Sequence, residues 1–262
     1  PGFGEHIMFE AGIACSLDHP NVLSVYDYQI EDGRAYIVTE YLPNTLDHLL
    51  KSQRRLSPRR ATDIAIQICR GLAYAHRERI IHRNLKPTKI LLTDEGKIKI
   101  SDFGLTRAYL SYSEVTTSVI CTPSYMSPEH WVGDRLDCVA DIYSLGSLLD
   151  EMLTGSRPFQ AQALEHFYEQ HQNDTMPDLP GNLKIPFHLK EVINKSMAKR
   201  LELRFQSAEQ MERALDMYWS HQISGETGKK AGFPVSGWLL GIVGVGVIAL
   251  AIGLLYQIGS SS

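Results

Sequence analysis

The stretch from Ile80 to Gly104, IIHRNLKPTKILLTDEGKIKISDFG, constrains the fold of this chain more than any other. His82-Arg83-Asn84 opens a loop, and residues 89–100 follow as a β-hairpin pattern with Asp94-Glu95-Gly96 in the turn. Asp102-Phe103-Gly104 closes the segment. The hydrophobic period changes along the rest of the chain. EHIMFEAGIACSL is a helical pattern that stops at Asp18-His19-Pro20-Asn21, and VLSVYDYQI and RAYIVTEYL are β-rich runs separated by the turn signal EDG. After Pro43 the pattern is mainly helical. Ser57 before Pro58 is an N-cap with proline at the first helical position, and Ala61, Ile64, Ile68, Leu72 and Ala75 then recur on one face. CVADIYSLGSLLDEMLTG reads as a largely buried helix that Gly155 ends, with Pro158 just beyond. Helical patterns around 186–199 and 207–221 complete the body.

The C-terminal segment differs in kind. GWLLGIVGVGVIALAIGLLYQI, residues 237–258, carries no charge, and at about 1.5 Å per residue it covers a hydrocarbon core of about 30 Å. A core helix of that length would show a polar face, so we read a transmembrane helix. Trp238 and Tyr256 lie near its ends, where amphipathic rings favour the interface. Lys229 and Lys230 precede it and only residues 259–262 follow, which places the body in the cytoplasm and the C-terminus outside. Residues 223–236, with Gly, Lys and Pro234, form a juxtamembrane linker in this reading. Gly237 and Gly241 permit close helix packing and hence a homodimer. A net charge of −4 gives no reason to expect nucleic acid as a partner. The four cysteines, with no C-x-x-C pair, suit a reducing compartment.

Further motifs follow the first in order: CTPSYMSPE at 121–129, DIYSLG at 141–146 and LRFQSAEQM at 203–211. Together with HRN and DFG, this series resembles the Hanks-type serine/threonine protein kinases, most closely the single-pass bacterial receptor kinases, over roughly residues 5–221. The resemblance implies an α+β, protein kinase-like fold. A partial N-lobe of helix C and two or so strands would occupy residues 1–43, and a mostly helical C-lobe residues 44–222. It also implies ATP and Mg²⁺ as cofactors and a protein substrate or partner. Asp102 would hold Mg²⁺, Lys86 would contact the γ-phosphate and Glu10 matches the helix-C glutamate. Thr39 takes the gatekeeper position, while Glu40 and Leu42 would offer hinge backbone to an adenine. His82 and Phe103 would couple the loop to the DFG turn, Asp141 would accept backbone hydrogen bonds from the loop, and Glu129 with Arg204 would fix the activation segment. Thr116, Thr117 and Ser118 lie where activating phosphorylation occurs in relatives, a phosphate there would be a partner for Arg83, and Thr122 matches the threonine typical of the class.

The sequence departs from that pattern in its chemistry. Asn84 stands where the family has its catalytic aspartate; an amide accepts a hydrogen bond but takes no proton, and loss of a positioned base costs about 10²–10⁴ in rate. Lys89 stands where the family has the asparagine that ligates a second Mg²⁺. Its ammonium has no lone pair for a metal and would lie instead against Asp102 or a phosphate. Neither a G-x-G-x-x-G loop nor a V-A-I-K lysine precedes helix C. Either these strands lie upstream in a longer chain or the protein lacks them, and an unpaired sheet edge argues for the first. Two functions remain open. One is a membrane-anchored pseudokinase or strongly impaired kinase that acts by binding nucleotide or protein. The other is an active ATP-dependent serine/threonine kinase whose clamp lies upstream.

Overall fold

The structure is a computed structural model that describes residues 11–31, 34–104, 122–133 and 136–227. The chain divides into two compact units, Pro1–Trp219 and Ser220–Ser262. Of the second, only the end of the last helix lies among the described residues.

Residues 11–15 are helical (α1), and β1 (Val25–Glu31) and β2 (Arg34–Thr39) pair antiparallel, with a bulge between Val25 and Asp27. Next come the two-residue strand β3 (Asn44–Thr45) and the helices α2 (Leu46–Gln53) and α3 (Pro58–Arg77). A hairpin follows, β4 (Ile90–Leu92) and β5 (Ile98–Ile100), and β3 joins it in a three-stranded sheet of order β3-β4-β5. The remaining helices are α4 (Pro128–Trp131), α5 (Cys138–Thr154), α6 (Leu164–Gln172), α7 (Phe187–Ser196) and α8 (Ala208–Thr227).

The local chemistry explains the boundaries. The Ser57 hydroxyl accepts from the Arg60 amide at 3.2 Å and starts α3, with Pro58 in the first turn. Gly155 ends α5 in the left-handed region at φ 80°, and its amide donates to the Glu151 carbonyl. The β4–β5 turn closes with Gly96 at φ 78° and its N–H on the Thr93 carbonyl.

Helix α5 is buried on nearly every side from Val139 to Leu153 and forms the centre of the core. The apolar face of α3, with Ala61, Ile64, Ala65, Ile68, Leu72 and Ala75, packs on it, and each fully buried Leu or Ile contributes about 1.5–3 kcal/mol. On another side α7 comes close because position 146 is glycine: a Cβ there would lie 2.7 Å from that of Ser196 and 2.8 Å from Met197 Cγ. The segment before β1 joins the two sheets. Asn21 O accepts from the Ile100 amide and Leu23 N donates to Ile100 O, both at 2.9 Å, around the parallel bridge Val22–Ile100.

The sequence pattern did not single out the short strand β3 or the helices α2, α4 and α6. The last helix also runs on to Thr227, through residues 223–227 of the stretch read as linker. Among the described residues no helix is long and apolar enough to cross a membrane, and the expected span 237–258 lies outside them.

Candidate functional site

The site starts from a buried carboxylate. Asp141, in the first turn of α5, is 1% exposed and accepts from three donors. The His82 amide and His76 Nε2 reach its Oδ2 and the Arg83 amide its Oδ1, each at 2.8 Å. Burial would raise its carboxyl, but hydrogen bonds and charge from His76 and His82 overcome that and hold it below the ordinary value. These bonds suspend the loop between α3 and α5 and hold Arg83 at φ 66°, a conformation that costs about 1–3 kcal/mol in a non-glycine residue and persists only where the surroundings enforce it.

From this anchor His82 reaches the Asp102 turn. Its Nδ1 accepts from the Asn84 amide at 3.2 Å, so the proton sits on Nε2, which donates to the Ser101 carbonyl at 2.9 Å. Its ring packs edge-on against Phe103 at 4.9 Å. Burial keeps the imidazole below its ordinary pKa despite the nearby Asp141 charge.

The hairpin fixes the next neighbours. Ile90 pairs with Ile100, so Lys89 and Ser101 flank the open end, and the Ser101 amide donates to the Lys89 carbonyl at 2.9 Å. There the Lys89 ammonium forms a close ion pair with Asp102 Oδ2. Asp102 itself adopts φ 64°, a left-handed geometry that aspartate tolerates better than most residues. Nearby, Lys86 Nζ donates to Thr122 Oγ1 at 2.9 Å. Farther out, Glu129 and Arg204 form a bidentate buried pair at 2.8 and 2.9 Å. Arg204 also donates to the carbonyls of Ala198 and Lys199 and lies over the Tyr143 ring.

The family model described as protein kinase domain matches residues 2–219. The chain belongs to the Hanks-type protein kinase family. It is 38% identical over 206 residues to the serine/threonine-protein kinase PrkC of Bacillus subtilis, covering 78% of this chain and 32% of that relative. It is 35% identical over 219 residues to PknB of Mycobacterium leprae (80% and 35% covered), and 34% identical over 252 residues to a probable serine/threonine-protein kinase of Streptomyces coelicolor (91% and 37%). The chain thus spans about a third of the length of these curated relatives.

In kinase terms, the structure brings together His82, Arg83, Asn84, Lys89, Asp102, Phe103 and Asp141 through the contacts above, and separately Lys86 with Thr122 and Glu129 with Arg204. Thr39 ends β2 and lines a small cavity of about 30 Å³ with Ala14, Leu23, Ile37, Asp102 and Phe103. Glu40 has its amide on Ser24 O at 3.0 Å, and its carbonyl accepts from the Thr39 hydroxyl at 3.0 Å. Leu42 is half-buried just beyond the exposed Tyr41. Glu10, Thr116, Thr117 and Ser118 lie outside the described residues.

Sequence reasoning missed His76, Ser24 and Lys99. His76 acts through its ring on Asp141 and Ser24 through its backbone on Glu40, and neither has a motif; Lys99, a lysine flanked by isoleucines in a strand, was a signal that could have been followed.

The residues present fit a two-metal kinase site poorly. Asp102, the carboxylate that would hold Mg²⁺, is engaged by Lys89, and a charged lysine has no lone pair to offer a cation. Among the described residues no three His, Cys, Asp or Glu side chains come together in a way that could hold a metal ion. What the arrangement can do unaided is present a cation at Lys86 and another at Lys89 beside a packed DFG turn.

Proposed function

We propose that this chain carries a membrane-anchored kinase-like signalling domain with an impaired catalytic loop. It acts by binding nucleotide, a partner protein or both, with the span 237–258 as its anchor. The Lys89–Asp102 ion pair carries this reading. A protein-borne cation occupies the carboxylate that the family uses for a metal, and Asn84 in the same loop cannot take a proton. The names of the relatives, all serine/threonine-protein kinases, support nucleotide use as the ancestral chemistry. Asn84→Asp with Lys89→Asn, made in the longest natural form of the protein, tests it. Autophosphorylation with Mg-ATP should rise by about 10²–10⁴ over the parent. A parent that already phosphorylates as fast as the double variant would overturn the reading.

An active kinase is the second reading. The observation favouring it is the intact frame: Asp141 holds the loop, His82 holds Phe103 and Arg204 holds Glu129. The same assay on the parent decides between the two.

A further inference from the structure

Glu40 is tied more completely than a hinge residue needs to be. Its amide donates to Ser24 O at 3.0 Å, and its carboxylate accepts from the Ser24 amide at 2.8 Å. The same oxygen, Oε1, takes the Lys99 ammonium at 2.7 Å, with both side chains only 19% exposed. Burial works to raise the Glu40 carboxyl, but Lys99 and the Ser24 amide outweigh it and hold it below the ordinary value.

The three partners come from different elements. Ser24 leads into β1, Glu40 follows β2 and Lys99 lies in β5, the strand that runs through Ser101 into Asp102. Among the described residues, β1–β2 and β3–β4–β5 are separate sheets whose backbones are bridged at Val22–Ile100. The ion pair is therefore a second tie, one residue along the same strand. On one side of it lies the hinge, and on the other Asp102 and Lys89. If a nucleotide spans both, the benefit of joining its two halves depends on their fixed spacing.

We propose that the Glu40–Lys99 pair is a joint locking the hinge in register with the strand that carries Asp102, which makes Lys99 a positioning residue for nucleotide binding. The inference rests on the nucleotide-binding reading above, and the strand register it asserts is measurable without nucleotide.

Lys99→Met removes the ammonium and keeps most of the apolar stem. Calorimetric titration of the full chain should show ATP binding about tenfold weaker, while adenosine and inorganic tripolyphosphate each stay within about twofold of the parent. Lys99→Arg should bind ATP like the parent. The double variant Glu40→Gln/Lys99→Met, which leaves no unpaired charge, should regain stability but not ATP affinity. Without ligand, the amides of Leu23, Glu40 and Ile100 should exchange with deuterium at least about tenfold faster in Lys99→Met. Unchanged ATP affinity, adenosine binding that falls as far as ATP binding, or full recovery of ATP affinity in the double variant would overturn the joint. A parent that binds no ATP would refute the nucleotide reading. The joint would then stand if the three amides exchange faster and fall if they do not.

Discussion

Lys89 and Asp102 meet where the β4–β5 hairpin closes, and their ion pair is a consequence of strand register. Ile90 opposite Ile100 leaves the residue before one strand beside the turn after the other. With side chains 26% and 37% exposed, the pair is worth at most about 1 kcal/mol. Its effect is on what Asp102 can bind. Lys89→Asn should therefore change stability by no more than about 1 kcal/mol in urea denaturation and make nucleotide binding depend on Mg²⁺.

Arg204 and Glu129 are a different case, because the two residues are only 2% and 8% exposed and the guanidinium grips the carboxylate with two hydrogen bonds. Arg204→Met leaves the Glu129 carboxylate buried without its partner and should cost about 3–5 kcal/mol in chemical denaturation. Glu129→Gln with Arg204→Met should recover much of that loss, since no charge then remains buried.

Stability should fall on both sides of a pH optimum. Burial holds His82, His130 and His171 below the ordinary imidazole value of 6.5, His130 at about 4 and His171 at about 3. The unfolded chain takes up these protons near its ordinary value and the folded chain does not, so stability drops as pH falls below about 6.5. Asp150 works the other way: burial raises its carboxyl from 3.8 to about 7, so its contribution is lost as pH rises across that interval. Asp150→Asn should raise the melting temperature clearly at about pH 8 and much less at about pH 5, read by scanning calorimetry.

Gly146 is required by helix packing. Its φ is ordinary for a helix, but an added Cβ would sit 2.7 Å from Ser196 Cβ and 2.8 Å from Met197 Cγ. Gly146→Ala should destabilise by about 1–3 kcal/mol in urea denaturation, despite the better helix propensity of alanine.

The fold was legible where local chemistry and periodicity agreed. Ser57-Pro58, the α3 face, the Asp94–Gly96 turn and the Gly155 cap all lie where the pattern put them. Helix α6 was not, because among its residues only His171 is buried and a helix with so narrow an apolar contact has a weak period. β3 is two residues long, too short for any alternation to show. In the site, motif order located the HRN and DFG residues and Arg204, and the chemistry of Lys89 anticipated its contact with Asp102. The Glu40–Lys99–Ser24 tie had no motif, since it joins three segments distant in sequence, and Lys99 between two isoleucines was its one visible trace. Lys86 was expected at a phosphate; its contact with Thr122 depends on how the 122–127 segment returns to the loop.

The most direct test of a protein-borne cation in place of the metal is a thermal-shift titration of the chain with ATP in excess EDTA and again with Mg²⁺. The account predicts a shift in EDTA of about the size seen with Mg²⁺, and its loss in Lys89→Asn unless Mg²⁺ is present. A parent that shifts only when Mg²⁺ is added would contradict it.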